Sequence, residues 1–424
     1  MSHLSLMSAI LLLYGTGVVS NQDQNPQEKR KYPDFVIIEA EQYVLDCFQN
    51  GGVAKLDQKC TSAEKRVLRV DFLRDVLTCQ QSTEMPCPVL KVRGALFLKP
   101  IVLDSIEVTI GVHLNACTFK KPVNLREGHF QKRLFFAGSH FQEMVNLYGL
   151  RADEELSFAN AKFWGPLVLA RARIGGQLNA RNAEFLCDEN RLRDLKKSDL
   201  SSYRGVDVAS IVNFNAIRVE NDCLMQECVF ATSFNCGNAL FGRNLNLKAA
   251  QFRNSEVNVS FAVMSVQNLL RIEELYCAST TDFRLITVGG SLRGDKVRFT
   301  KPEVAATPED AAATPEDVTV YFDDARISGG FEVQTLQLSG KLHMKRIRTP
   351  FLILKAFTQT GLKQQPSDPA VGELVLEDAS VDGNLTLEGY HVGSLDVSGL
   401  HAEGRGLFTN PSLTTRLRQF LARN

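Results

Sequence analysis

Apolar residues along this chain fall into pairs two positions apart, and the pairs recur every eleven residues. Val112/Leu114, Val123/Leu125, Leu134/Phe136, Val145/Leu147, Leu156/Phe158, Leu167/Leu169 and Leu178/Ala180 hold that step over seven units without slippage. Five residues after each first member stands a second inward pair, usually small then large: Cys117/Phe119, Gly128/Phe130, Ser139/Phe141, Ala161/Phe163, Ala172/Ile174 and Ala183/Phe185. A helix with an eleven-residue period would supercoil at about 3.67 residues per turn. Here the inward positions alternate by two and include Val, Phe and Gly, which is the local period of a strand. Short strands separated by corners are therefore expected.

The length of one full coil follows from like residues. Phe119, Phe141, Phe163 and Phe185 recur every 22 residues, while Phe130, Ala152 and Ile174 hold the equivalent place in between. Like side chains stack one coil apart in a solenoid, so each coil is expected to span about 22 residues in two halves, with the phenylalanines as an interior ladder. After a charged, unpatterned interruption at about 186–211, the step resumes with Val212/Phe214, Cys223/Met225, Phe234/Cys236 and Leu245/Leu247. It slips near Val257/Val259 and blurs through about 265–280. A Pro/Ala/acidic stretch at 300–317 and a second loop at about 358–371 are expected to leave the core. Val320/Phe322, Phe331/Val333, Leu342/Met344, Leu374/Leu376, Leu385/Leu387 and Leu395/Val397 continue the pattern between and beyond them.

The ends read differently. Residues 36–49 place Ile37, Val44, Leu45 and Phe48 on one helical face, and Thr61-Ser62-Ala63-Glu64 has the form of a capping box before a helix over 61–79. The expected layout is a helical N-terminal cap at 32–100, a parallel β-helix at 101–410 of roughly 11 coils, about 50 Å long, and a C-terminal capping helix at 411–424. Ahead of these lie an apolar segment at 1–20, read as a signal peptide cut after Ser20 or as a short membrane anchor, and a polar linker at 21–31. Export would make the N-terminal cysteines Cys47, Cys60, Cys79 and Cys87 candidates for two disulfides, with three connectivities open.

Composition changes this picture in a few places. The chain balances 48 Lys and Arg against 48 Asp and Glu. That argues against a nucleic-acid binder, which needs a basic excess, and against DNA mimicry, which needs a dense acidic surface. The surplus of 26 Phe over 8 Tyr and 1 Trp belongs to the ladder, not to base stacking. Cys117, Cys223, Cys228 and Cys236 fall at inward positions and are expected to be buried and inert, while Cys187 and Cys277 lie in interrupted segments. His113, His129 and His140 point outward without clustering, and no metal or cofactor motif accompanies them. Gly175-Gly176, Gly289-Gly290 and Gly329-Gly330 share one register and are expected to turn corners at positive φ, not to cradle phosphate. Asp323-Asp324 is the one paired carboxylate of interest for glycan chemistry, but the outward residues one coil away are basic.

One outward column is less neutral. With a 22-residue coil His129, Arg151 and Arg173 stack, with Arg126 and Arg171 beside them, forming a stripe suited to an anionic partner such as a sulfated or phosphorylated glycan. Glu127, Glu154 and Glu155 are available to balance it. Asn258-Val259-Ser260 and Asn384-Leu385-Thr386 are glycosylation sequons whose Asn side chains face outward in this register.

Small-x-large every five residues resembles the pentapeptide-repeat proteins, and the eleven-residue variant resembles a bacterial family often labelled membrane-associated oxidoreductase. Arg173-Ile174-Gly175-Gly176-Gln177-Leu178 and the opening helix Val67-Leu68-Arg69-Val70-Asp71-Phe72-Leu73-Arg74 carry the likeness, which covers about 65–405. It implies an all-β solenoid, a four-sided right-handed parallel β-helix. It implies no chemistry here, because no dinucleotide, flavin, haem or thiol–disulfide motif lies outside the repeat turns. The expected function is a non-enzymatic exported repeat protein that binds an unidentified protein or glycan. The alternatives are a carbohydrate-active β-helix enzyme and a DNA-mimicking topoisomerase regulator.

Overall fold

The structure, a computed structural model, describes residues 38–78, 89–198, 210–301, 318–356, 371–388 and 392–408. The apolar segment 1–20, the linker 21–31, Cys79, Cys87, most of the expected loops at 300–317 and 358–371, and the expected helix 411–424 lie outside those residues.

Short parallel strands stack into four faces, here A to D in the order the chain visits them. Leu134 on face A pairs with Val112 and Leu156, Phe141 on face B with Phe119 and Phe163, Val145 on face C with Val123 and Leu167, and Arg151 on face D with His129 and Arg173. Every partner is 22 residues away, so the coil length read from the phenylalanines is the coil length of the fold. Faces C and D each contain 12 strands. At a strand spacing near 4.8 Å the rod is about 53 Å long. Faces A and B join into one sheet because the strand Gly330–Leu338 runs through the corner between them.

The inward pairs make the core. Phe97, Phe119, Phe141, Phe163, Phe185, Phe230 and Phe252 stack along face B with ring centroids 4.4–5.1 Å apart and planes within 10°. The ladder stops at Cys277, which pairs in register with Phe252, and a second stack, Phe261, Phe283 and Phe322, serves the later coils. Each offset-stacked pair adds about 0.5–1.5 kcal/mol beyond the area it buries.

Two departures from the repeat share one place. The segment 186–211, expected to be unpatterned, contains a helix, α4, at Glu189–Ser198, whose Leu192 and Leu195 pack with Met144, Cys187 and Ile211 outside the main core. It joins face B to face C. So do residues 253–258, whose three extra residues produce the slip near Val257, after which 265–280 continues in regular strands. After Arg298–Phe299 on face B, the next described strand, Thr319–Tyr321, lies on face C. Insertions extruded at one corner leave the register of the other faces intact.

The N-terminal cap closes the first coil. Helix α1, Glu39–Gln49, forms as expected. It is followed by β1, Ala54–Lys55, and the short helix α2, Leu56–Lys59. The expected helix over 61–79 begins later. Residues 64–66 form a single 3-10 turn, Val67 bridges to Leu96, and α3 runs Val70–Thr78, so Thr61 caps nothing and Val67 serves the sheet instead. β1 pairs with Val92–Arg93 of the strand Val89–Arg93, which covers the exposed strand edge of the first coil and moves the start of the solenoid from 101 to 89. Leu73 and Leu77 of α3 plug the open end against Ile101, Leu103, Phe130 and Phe136, leaving a void of only about 20 Å³. Cap and plug are tied by a fully buried Glu41, which accepts from Arg69 Nε at 2.7 Å and from the Arg69 backbone N–H at 3.2 Å. Removing one partner of such a pair strands a buried charge at a cost of about 3–5 kcal/mol.

Two kinds of corner are built from different residues. Between faces A and B, and between C and D, a tight turn places one residue per half coil at positive φ. In Leu125-Arg126-Glu127-Gly128, Glu127 sits at φ 55° while Gly128 N–H donates to the Leu125 carbonyl at 3.1 Å. Asn124 accepts from Arg126 N–H at 3.3 Å, and Asn146, Asn179, Asn213, Asn235 and Asn246 repeat that contact two residues on. The glycine pairs work elsewhere, between faces D and A, and of the six only Gly330 has positive φ. They are needed for close approach of successive coils: a Cβ on Gly175 would overlap the Asp153 carbonyl, and one on Gly242 the Glu220 carbonyl. The positive-φ expectation thus holds at Gly330, and at the other five it is replaced by a backbone clearance requirement.

Two outcomes follow. Phe163→Ala should remove a fully buried ring from the middle of the ladder and lower stability by about 3–5 kcal/mol in denaturant unfolding. Gly242→Ala, though exposed enough to look harmless, should lower the melting temperature because its methyl group meets backbone of the coil before it.

Candidate functional site

Outward residues on each strand form columns, because register places each above its counterpart one coil before. On face D the column reads Glu107, His129, Arg151, Arg173, Arg218, Leu240, Ser265, Thr287, Arg326, Arg348, Ser380 and His401. Of the stripe expected from sequence, His129, Arg151 and Arg173 therefore do stack. Arg126 and Arg171 sit at the corner between faces C and D and lie over the Tyr148 ring at 5.6 and 5.9 Å.

Much of this charge is balanced locally. Asp153 meets His129 Nε2 at 2.9 Å and Arg151 Nε at 2.8 Å, and the His129 hydrogen bond, followed by that from Arg151, holds the Asp153 carboxyl below its usual range. Glu107 lies 3.8 Å from His129 Nδ1, Glu127 3.2 Å from the Arg126 guanidinium, and Glu220 2.7 Å from Arg218 Nε. Arg171 and Arg173 carry no carboxylate partner among the described residues. The expected balancing by Glu154 goes to a different column, since it pairs with Lys132 and Arg133 at 3.2 and 3.5 Å. Exposed pairs of this kind are each worth about 0–1 kcal/mol, so they set the potential of the face more than its stability.

The other candidates separate in space. Asp323 accepts from the Lys345 backbone N–H at 2.9 Å, while Asp324 pairs through both oxygens with Arg346 at 2.7 Å, so the two carboxylates do not converge. Asn258 and Asn384 are exposed, and Asn384 Oδ1 accepts from Arg405 N–H at 3.2 Å. No group of three or more metal-ligating side chains converges among the described residues.

Cys117, Cys223, Cys228 and Cys236 are fully buried, and burial raises each thiol, Cys117 and Cys228 to about 12. Cys187 and Cys277, undecided by register, are buried too and likewise pushed up to about 12. In the cap, Cys47 and Cys60 are free thiols, half-buried and not bridged to each other. Both act on Tyr43, whose phenol is raised by burial first and then by its hydrogen bond with Cys47. Of the three open connectivities, the one joining Cys47 to Cys60 is therefore not formed, and Cys79 and Cys87, which the other two require, lie outside the described residues.

Comparison with known proteins finds no matching family model, curated protein or solved structure. No helix among the described residues is long and apolar enough to cross a membrane.

Thiol accessibility checks the burial pattern directly. Brief alkylation of the native chain without reductant, read by peptide mass spectrometry, should modify Cys47 and Cys60 and spare Cys117, Cys223, Cys228, Cys236 and Cys277 until the protein is unfolded.

Proposed function

We propose that this chain is a non-enzymatic binding or scaffold protein that presents face D to an anionic partner. One observation carries the reading: face D is an unbroken stack of 12 strands bearing columns of basic side chains, while the inserted segments leave the solenoid elsewhere. A long, regular, solvent-facing array is the surface by which solenoids bind extended ligands. Asp153 and Asp324, beside these arginines, are engaged in ion pairs, which takes both out of the acid and base roles of glycoside cleavage.

The likeness to pentapeptide-repeat proteins belongs to this proposal and is supported by the two five-residue steps within each eleven-residue unit. Export also belongs to it and rests on the apolar segment 1–20, not on the cysteines. A carbohydrate-active enzyme is the competing reading.

Incubating the protein with sulfated, phosphorylated and uronate glycans should give complexes without shortened chains; new reducing ends would overturn the non-enzymatic reading. N-terminal sequencing of the protein from its natural source should begin at Asn21, and an intact Met1 would remove export by a cleaved leader.

A further inference from the structure

Beyond Arg218 the face D column changes character. Leu240, Ser265 and Thr287 carry no charge, and then Arg326 and Arg348 stand one above the other. Along the neighbouring corner Val263, Leu285, Asp324, Arg346 and Asp378 follow one another at positive φ. Thr287, Arg326 and Arg348 from the face, with Leu285, Asp324, Arg346 and Asp378 from the corner, line a surface cavity of about 430 Å³. That lies within the range of small-ligand sites and far exceeds what a bare ion requires.

The charges in this cavity are unequally satisfied. Asp324 commits both oxygens to Arg346, and that pairing holds its carboxyl below the usual range. Arg326 and Arg348 are exposed and form no ion pair within 4.0 Å among the described residues, although the Arg326 charge also acts on Asp324. Like charges directly opposite on parallel strands, about 4.8 Å apart, repel. Strand geometry does not require them, since Leu240, Ser265, Thr287 and Ser380 fill the same column on other coils. Two guanidinium forks side by side, neither in a close ion pair among the described residues, suit an oxyanion that accepts hydrogen bonds from both.

The remaining walls narrow the ligand. Leu285 is 55% exposed at φ 59°, and Val263 one coil earlier is 47% exposed at φ 62°. Bulky apolar residues rarely occupy that region, and the β-branched Val263 least of all. Leu285 gives the cavity an apolar wall. Asp378 adds a carboxylate that would repel a bare anion but can accept hydrogen bonds from hydroxyl groups. A hydroxylated ring with an apolar C–H face and one anionic substituent meets all these walls at once.

We infer that this groove binds an anionic sugar unit, its sulfate, phosphate or carboxylate held by Arg326 and Arg348, its hydroxyls by Asp378 and Thr287, and its ring against Leu285. The inference rests on the reading of face D as the binding face and gives that face a defined subsite.

The test is calorimetric titration of the full chain with a heparin-derived tetrasaccharide, digalacturonate and glucose 6-phosphate, with maltotriose and inorganic phosphate as controls. At least one anionic sugar should bind, and the arm that binds identifies the anionic group. Arg326→Ala/Arg348→Ala should weaken binding roughly tenfold to a hundredfold, and Arg151→Ala/Arg173→Ala should leave it unchanged. Asp378→Asn should weaken sugar binding while inorganic phosphate, freed of a repelling charge, binds no more weakly than before. All these side chains are exposed, and circular dichroism verifies that the variants fold. No binding by any anionic sugar, or inorganic phosphate binding as tightly as the sugars, overturns the groove. Loss of binding in Arg151→Ala/Arg173→Ala instead overturns the groove and keeps face D as the binding surface. Cleavage of a bound oligosaccharide that depends on Arg326 and Arg348 keeps the groove and overturns the non-enzymatic reading.

Discussion

Everything in this fold depends on the hydrogen bonds between one coil and the next. Each strand is only two residues long over most of the rod, too short to pair stably by itself. It is held because Leu134 N–H reaches the Glu155 carbonyl at 3.0 Å, Phe136 N–H reaches Ser157 at 2.8 Å, and the same contacts repeat on every face. Such a ladder closes only when the chain returns in phase, so most coils contain 22 residues, the last ones contain 21, and excess residues are expelled. The helix Glu189–Ser198 and the extra residues at 253–258 are expelled at the corner between faces B and C. Phase is preserved, and Phe185 still stacks on Phe230 at 4.6 Å across the inserted helix.

The same constraint sets what the corners accept. Successive coils run so close at the D-to-A corner that Gly175, Gly176, Gly242, Gly289 and Gly290 each lie against backbone of the coil before. At the A-to-B and C-to-D corners a left-handed residue is required, and Glu127, Arg171, Asn182 and Lys296 adopt it at a cost of order 1 kcal/mol each. Backbone hydrogen bonds offset that cost: Glu127 N–H donates to the Tyr148 carbonyl at 2.8 Å and Arg171 N–H to Asn215 at 2.9 Å. Strain is distributed along the rod, and one of its apolar occupants, Leu285, lines the groove at Arg326 and Arg348.

Register also organises the surface. A residue that points outward is repeated by its neighbours, so charge accumulates in columns instead of scattering. On face D this yields two basic segments, His129 to Arg218 and Arg326 to Arg348, separated by uncharged residues. The first is largely matched by Asp153, Glu107 and Glu220, whereas the second keeps two arginines outside any close ion pair among the described residues. A neutral chain thereby carries a locally basic face, which its overall charge of zero conceals.

The repeat, the coil length, the inward phenylalanines and the stacking of His129, Arg151 and Arg173 were legible in the residues alone, because a period of two within a period of eleven admits one folding solution. Sequence also placed Cys117, Cys223, Cys228 and Cys236 inside. Other features needed three dimensions. Val67 bridging to Leu96 instead of opening a helix, and Glu41 buried against Arg69, depend on which segments meet across the cap. The glycine clearances depend on how closely coils approach, and the recurring Asn of the turns was visible as a letter without its hydrogen bond. The groove at Arg326 and Arg348 was illegible because its walls come from four coils of unequal length, with an insertion of 39 residues' separation between Leu292 and Phe331 and no constant spacing to reveal them. Local pattern determines what each residue faces; only the stacked coils decide which residues face it together.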